Sequence, residues 1–388
     1  MPSSPGHVAI NAVFLDPPMG GIETYLRELC RCLLLRDDAP RLTVFLNPAG
    51  HATLATEPWA HEAELVACRT VGRAGFRAIG ELTAIGALAD RRRVDVVHSV
   101  AMTGPLVCRA RRVVTVPDTI WITHPEDTIN HRLWRAIVPL VARRAHRVVA
   151  ISHAAGEDLR RDLHVSSDKL DVVPLGYGSP VAVAPTPGAE LRERLGLGSG
   201  PIVLNVGQKK PHRNLESLIR AMVAVREAVP GAQLVLPGPP NDEAEASLRA
   251  LAVGLGLGEA VTIPGFVESA DLEGLYAEAD AFVLPSIVEG FGLPVLEAMA
   301  RGLPVACSRD SAPGEVAGTA GLLLDPTSEV EIAEATVRLL TDGELRGRLS
   351  EAGRERAAGY TWERCADETL DAYRRAVAGA GRPAARLS

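Results

Sequence analysis

Short apolar runs alternate with amphipathic stretches along almost the whole chain. In the first half, Val8–Phe14, Leu42–Leu46, Val94–His98, Val113–Val116, Val148–Ile151 and Leu170–Val173 read as short strands. Between several of them, Glu23–Leu35, Asn130–Arg144 and Ala154–Leu163 carry apolar residues at helical spacing. A stretch rich in proline and glycine, Gly176–Pro201, interrupts the series around the short helical run Ala189–Leu195. A second series follows. Its strands are Ile202–Val206, Gln233–Leu236, Val261–Ile263, Ala281–Leu284, Pro304–Ala306 and Gly321–Leu324. Its helices are Asn214–Ala228, Ala244–Leu255, Leu272–Ala279, Leu293–Arg301 and Glu329–Leu340. Helical segments Glu344–Ala358 and Trp362–Ala378 end the ordered chain, and the tail Gly379–Ser388 is expected to fray.

Regular alternation of this kind predicts α/β architecture with parallel sheets covered by helices on both faces. The break near residue 180 divides it into two doubly wound domains, 1–180 and 181–360, with 361–380 as a final helix. Two such domains joined by a linker predict a cleft, with ligands beyond the carboxyl ends of the strands. A length of 388 residues agrees with two cores rather than one.

Composition narrows the class. Apolar residues make up 47% and charged residues 23%, which is globular rather than disordered. No apolar stretch approaches the ~20 residues of a membrane span. The start, Met1-Pro-Ser-Ser-Pro-Gly-His7, lacks a signal peptide's charged region, so a cytoplasmic protein is expected. The net charge of −7 argues against a general nucleic-acid binder. That charge is uneven: residues 1–180 carry a balance of +2 and residues 181–388 a balance of −9. Arg91-Arg92-Arg93, Arg109-Ala-Arg111-Arg112 and Arg143-Arg144 are basic clusters of the first half. Each is a solvated helix end or part of a surface that meets an acidic acceptor or the inner face of an anionic membrane. The six cysteines are scattered without a C-x-x-C pair, which points to buried or idle thiols rather than to zinc.

Candidate chemistry concentrates in Glu289-Gly-Phe-Gly-Leu-Pro-Val-Leu-Glu297. The string follows a predicted buried strand and enters a helix at Leu293, with Pro294 in the first turn, where a missing N–H costs little. Two carboxylates thus flank a glycine loop whose backbone amides can approach a phosphate. Gly207-Gln-Lys209-Lys210-Pro-His-Arg213-Asn214 lies in the same position after the first strand of the second series, and its cations suit a leaving diphosphate. Gly20 and Gly21 follow the first strand of the chain and open its first long helix.

The nine-residue string resembles the E-x7-E motif of retaining glycosyltransferase family 4, which has the GT-B fold, and Thr-His124-Pro resembles a position of its mannosyltransferase-like branch. The resemblance implies transfer of a sugar from a GDP- or UDP-linked donor to the hydroxyl of a glycan, lipid-linked or small-molecule acceptor. No cofactor is implied, since the nucleotide sugar is itself the donor substrate. Glu289 and Arg213 become catalytic candidates. Gly20, Gly21, Lys209, Lys210, Val267, Gly290, Phe291, Gly292, Leu293 and Glu297 become donor contacts, with Glu289 on the sugar hydroxyls and Glu297 on the ribose. His124 and Asp118 are candidates for the sugar or the acceptor, which the first domain would bind. The final helix is expected to cross back onto the first domain. No D-x-D triplet occurs, so no metal site is expected and cations and amides must meet the diphosphate charge. The chain departs from the family at three places. Arg213 stands where Lys is usual, Gln208 where Arg is frequent, and Pro117 where a sugar-binding His is usual. Pro117 leaves open a partner subunit that binds nucleotide sugar without transferring it, and a GT-B epimerase remains a further alternative.

Overall fold

The computed structural model describes residues 5–17, 20–69, 77–127, 131–178 and 183–379. The chain divides into two units, Met1–Gly176 together with Thr361–Ser388, and Tyr177–Tyr360.

The first unit contains strands β1 (His7–Ala12), β2 (Arg41–Leu46), β3 (Glu64–Ala67), β4 (Val96–Ser99), β5 (Arg111–Thr115), β6 (Arg147–Ala150) and β7 (Leu170–Val172). They form one sheet in the order β3-β2-β1-β4-β5-β6-β7, parallel throughout. The second unit contains β8 (Ile202–Leu204), β9 (Gln233–Pro237), β10 (Val261–Gly265), β11 (Ala281–Leu284), β12 (Val305–Ser308) and β13 (Leu322–Leu324). Their order is β10-β9-β8-β11-β12-β13, again parallel. Both sheets are doubly wound, so the winding reverses between β1 and β4 and between β8 and β11. Those reversals leave crevices at the carboxyl ends of the strands.

Burial on both faces explains the apolar runs. β8, β9 and β11 are wholly buried, with Leu218, Ile219, Met222 and Val225 of helix Leu215–Ala228 packed in the same core as Val203, Leu234 and Val283. Each such side chain contributes about 1.5–3 kcal/mol.

Two elements depart from the hydrophobic pattern. Strand β3 lies at the sheet edge and is half-buried, so four residues carry no strong apolar signal; Glu64 is useful there because it accepts from Thr43 and Arg92. Helix Arg77–Arg92 contains Gly80 and Gly86, which dilute its periodicity. Gly86 is required by packing, since a Cβ there would lie 2.2 Å from the carbonyl oxygen of Val107. The predicted start at Asn130 falls outside the described residues, and that helix is described from His131. Residues 380–388 of the tail are likewise outside them. Cys30 and Cys32 are both buried although they sit two apart, with the Cys32 thiol 3.7 Å from Glu363 Oε1 of the last helix.

That last helix, Trp362–Ala378, belongs to the first unit. Thr361 caps it by accepting from Arg364 N. Trp362 stacks on Tyr25, with ring centroids 6.5 Å apart. Further along, the Tyr373 hydroxyl lies 2.7 Å from His98 Nδ1, and His98 Nε2 lies 2.8 Å from Thr115 Oγ1. His98 is fully buried on β4, and burial pushes its pKa down to about 3. The folded protein therefore refuses a proton that the unfolded chain takes up near pH 6.5, so this histidine favours folding above that pH and progressively less below it. We expect the wild-type unfolding free energy to fall as pH drops from 6.5 to 4.5, and to fall less steeply in His98→Gln, as read from urea titrations at several pH values. Parallel profiles for the two proteins would refute this role.

Candidate functional site

In the second unit, the loops after β8 and β11 meet at the point where the winding reverses. β8 and β11 are neighbours, with Val203 opposite Ala281 and Leu204 opposite Phe282. Beyond the strands, buried Asn205 donates its amide to Val283 O at 2.7 Å. Ile287 N donates to His212 O at 2.8 Å. Asn214 adopts a left-handed conformation (φ 55°) between the turn Pro211–Arg213 and helix Leu215–Ala228. Its side-chain amide donates to Pro285 O at 3.1 Å and to Pro326 O at 2.6 Å. These bonds fasten the cationic loop to the glycine loop.

Arg213 and Glu289 come together as a result. Arg213 Nη1 lies 2.9 Å from Glu289 Oε1, with both side chains largely buried. Ser286 Oγ donates to the same carboxylate oxygen at 3.0 Å, and Ser308 Oγ fixes the Ser286 carbonyl at 2.6 Å. Gly207 lies against the guanidinium, where a Cβ would sit 3.1 Å from Nη1. Arg213 Nη1 is close to the carboxylate but poorly aligned for a hydrogen bond, and Nε is buried without an acceptor among the described residues. A buried cation whose donors are incompletely satisfied is costly on its own and favours an incoming anion.

The glycine loop ends at Gly292, which has φ +105° and lies against Pro313, whose Cα would be 3.0 Å from an added Cβ. A side chain would be strained there twice over. Helix Leu293–Ala300 starts immediately after it, with Pro294 in the first turn. Gly290 and Phe291 are buried, and Leu293 is half-buried.

Glu297 sits one turn into that helix. The Tyr276 hydroxyl, from helix Ser269–Glu278, donates to Glu297 Oε2 at 2.9 Å. Arg301 lies over the Tyr276 ring, 4.5 Å from its centroid. The same guanidinium forks onto Glu273 and donates from Nη1 to Glu297 O at 2.9 Å. Burial pushes the Glu297 carboxyl above the usual range, and the Tyr276 hydrogen bond and Arg301 charge oppose the shift. One carboxylate oxygen is thus held by the Tyr276 hydroxyl. Sequence reasoning missed Tyr276 because it stands 21 residues from Glu297 on another helix. A tyrosine in an otherwise apolar helix face was the available signal, since a buried hydroxyl needs a partner.

The remaining candidates are scattered among other roles. Lys209 is buried, not presented to the site. Its ammonium donates to Gly238 O at 3.1 Å and lies 3.6 Å from Glu245 Oε1; burial lowers its pKa. Lys209 thus ties the loop after β9 to the loop after β8, which corrects its assignment as a donor contact. Lys210 is half-buried. Val267 follows β10, beside Phe266, which is 65% exposed. In the first unit, Gly20 precedes helix Gly21–Leu34, and its carbonyl accepts from Glu23 N and Thr24 N; Met19 is outside the described residues. Asp118 accepts from Ile120 N at 3.1 Å, and His124 Nδ1 lies 3.1 Å from Thr123 Oγ1. Both follow β5 and serve local turns. Among the described residues, no group of three or more His, Cys, Asp or Glu side chains is placed to hold a metal ion.

Residues 19–177 match the family described as Glycosyltransferase Family 4, and residues 189–356 match Glycosyl transferases group 1. The chain belongs to glycosyltransferase family 4. It is 28% identical over 253 residues to O-antigen chain mannosyltransferase B of Escherichia coli, covering 65% of this chain and 66% of that one. It is 31% identical over 255 residues to MMP alpha-(1->4)-mannosyltransferase of Mycolicibacterium hassiacum, covering 64% and 59%. The aligned region thus spans under two thirds of either relative. The structure of Anabaena HepE in complex with UDP and glucose superimposes with a TM-score of 0.73 at 21% identity, covering 94% of this chain and 98% of that one. That likeness shows the GT-B fold, whose two components are the doubly wound units described above.

Tyr276→Phe removes the hydroxyl but keeps the ring beneath Arg301. We expect it to weaken nucleoside diphosphate binding several-fold and to shrink the preference for ribose over 2′-deoxyribose, as measured by calorimetric titration. An unaltered ribose preference would refute a positioning role for Tyr276.

Proposed function

We propose that this protein is a retaining, metal-independent glycosyltransferase. It moves a sugar from a GDP- or UDP-linked donor to the hydroxyl of a glycan, lipid-linked or small-molecule acceptor. The second unit binds the nucleotide sugar and the first unit binds the acceptor. The observation that carries this reading is the Arg213 guanidinium at the strand reversal, paired loosely with Glu289 and with a buried Nε lacking an acceptor among the described residues. Family membership supports the reaction class, and the mannosyltransferase names of two relatives support mannose as the first sugar to try.

The chemistry follows from charge. The bond from the anomeric carbon to the diphosphate oxygen breaks, and negative charge grows on the leaving phosphate. Arg213 and the backbone amides between Gly290 and Leu293 meet that charge. Each well-aimed donor contributes on the order of 10²–10³ in rate. The acceptor hydroxyl attacks from the face that the diphosphate leaves, and its proton passes to a departing phosphate oxygen. Configuration is therefore retained without a glycosyl–enzyme bond. Glu289 holds hydroxyls of the donor sugar, Glu297 holds the ribose, and Val267 lies by the base. Gly20 and Gly21 supply amides to the diphosphate, while Asp118 and His124 lie toward the acceptor.

Pro117 favours a second reading, a partner subunit that binds nucleotide sugar and transfers nothing, because proline offers no side-chain hydrogen bond where a histidine is usual in the family. One experiment separates the two. The protein is incubated with GDP-mannose, UDP-glucose and related donors while melting temperature and slow donor hydrolysis are followed. The right donor raises the melting temperature by mass action. In a transferase it is also hydrolysed, and Glu289→Ala abolishes hydrolysis while the nucleoside diphosphate still binds. Arg213→Ala weakens nucleoside diphosphate binding. Stabilisation without turnover identifies the partner subunit, and full activity in Glu289→Ala refutes the reading.

A further inference from the structure

At the opposite ends of the first sheet's strands from Gly20 and Asp118, the amino ends of β4 and β5 border a cavity of about 350 Å³. Its lining includes Arg93, Arg109 and Arg111 together with Asp90 and Asp95. Two basic clusters that stand apart in the sequence thus converge on one hollow. Five of their six arginines divide into two groups. Arg92 lies over the Phe45 ring and donates to Glu64, while Arg112 donates to the carbonyls of Arg144 and Cys108. Those two are structural. The guanidiniums of Arg93, Arg109 and Arg111 have no hydrogen-bond acceptor or ion-pair partner among the described residues, and all three line the cavity.

The two aspartates offset part of this charge but form no ion pair with these arginines. Asp90 Oδ1 accepts from Arg109 N at 2.7 Å. Asp95 Oδ2 accepts from Gly6 N at 2.8 Å and His7 N at 2.9 Å. These carboxylates are committed to backbone amides and shape the walls. Helix Arg77–Arg92 ends here, and its carbonyl end carries about half a negative charge. Three whole positive charges exceed the two carboxylates and that half charge together, so a small positive balance remains, carried by guanidiniums with no partner of their own among the described residues. Arg93, just past the helix, is in the left-handed region (φ 54°), which turns the chain at the helix end into the cavity wall.

We propose that this cavity is a binding site for a phosphate ester, separate from the nucleotide-sugar site of the second unit. Forked guanidiniums match phosphate oxygens pairwise. The volume exceeds what a bare phosphate fills and suits a phosphate carried on a small polyol. The same group is offered by a free sugar or glycerol phosphate and by a lipid headgroup.

The test uses the full chain and a variant carrying Arg93→Gln, Arg109→Gln and Arg111→Gln. These side chains are exposed or half-buried and unpaired, so the variant should melt as the wild type does. Glycerol 3-phosphate is titrated calorimetrically into both, and into Arg213→Gln as a control for the donor site. Vesicles of phosphatidylcholine with and without phosphatidylglycerol are used in flotation. We expect the triple variant to lose at least about tenfold in affinity for glycerol 3-phosphate, or its retention on phosphatidylglycerol vesicles, with Arg213→Gln unchanged. Loss in the soluble arm alone assigns the phosphate to a free ester. Loss in the vesicle arm alone assigns it to a lipid. Binding that the triple variant leaves intact in both arms, or that only Arg213→Gln removes, would overturn the proposal.

Discussion

The second unit is organised around one incompletely satisfied ion pair. Arg213 and Glu289 come from loops 76 residues apart in sequence and meet only because β8 and β11 are neighbours where the winding reverses. Asn205, Asn214 and the Ile287 amide hold the two loops in register, so the pair does not depend on its own attraction for its geometry. Such a pair gains little for stability, because desolvating two charges offsets their attraction. Its value lies elsewhere. A guanidinium already stripped of water and left short of acceptors is preorganised for an anion, and the cost of arranging it is met during folding.

Glu297 follows the same logic by a different route. Its carboxyl is desolvated, so it requires support to stay useful, and that support is layered. Tyr276 holds one oxygen, Arg301 lies on the Tyr276 ring, and Glu273 neutralises Arg301. The last helix plays a comparable part in the first unit. Tyr25, His98 and Thr115 form a buried polar chain whose final member, Tyr373, comes from the end of the polypeptide.

Much of this was legible from sequence. Parallel strands buried on both faces announce themselves as apolar runs, and a glycine-bracketed loop after such a run marks the turn into the next helix. The helix start at Leu293 was legible that way, and the two loops that carry Arg213 and Glu289 do lie side by side. β3 was not, because a four-residue edge strand is half solvated and needs no apolar pattern. Lys209 was misread because sequence counts charge without direction: its ammonium turns to Gly238 O and Glu245 inside the fold. The role of Tyr276 and the convergence of the two arginine clusters could not be read for a related reason. Both depend on which elements the fold brings near one another.

The central claim is that Arg213 receives the leaving diphosphate. A crystal structure of the protein with its nucleoside diphosphate tests this directly. The account predicts phosphate oxygens within about 3 Å of the Arg213 guanidinium, including the Nε that has no acceptor among the described residues, and of the amides between Gly290 and Leu293. A diphosphate bound elsewhere, with Arg213 still facing Glu289 alone, would contradict it.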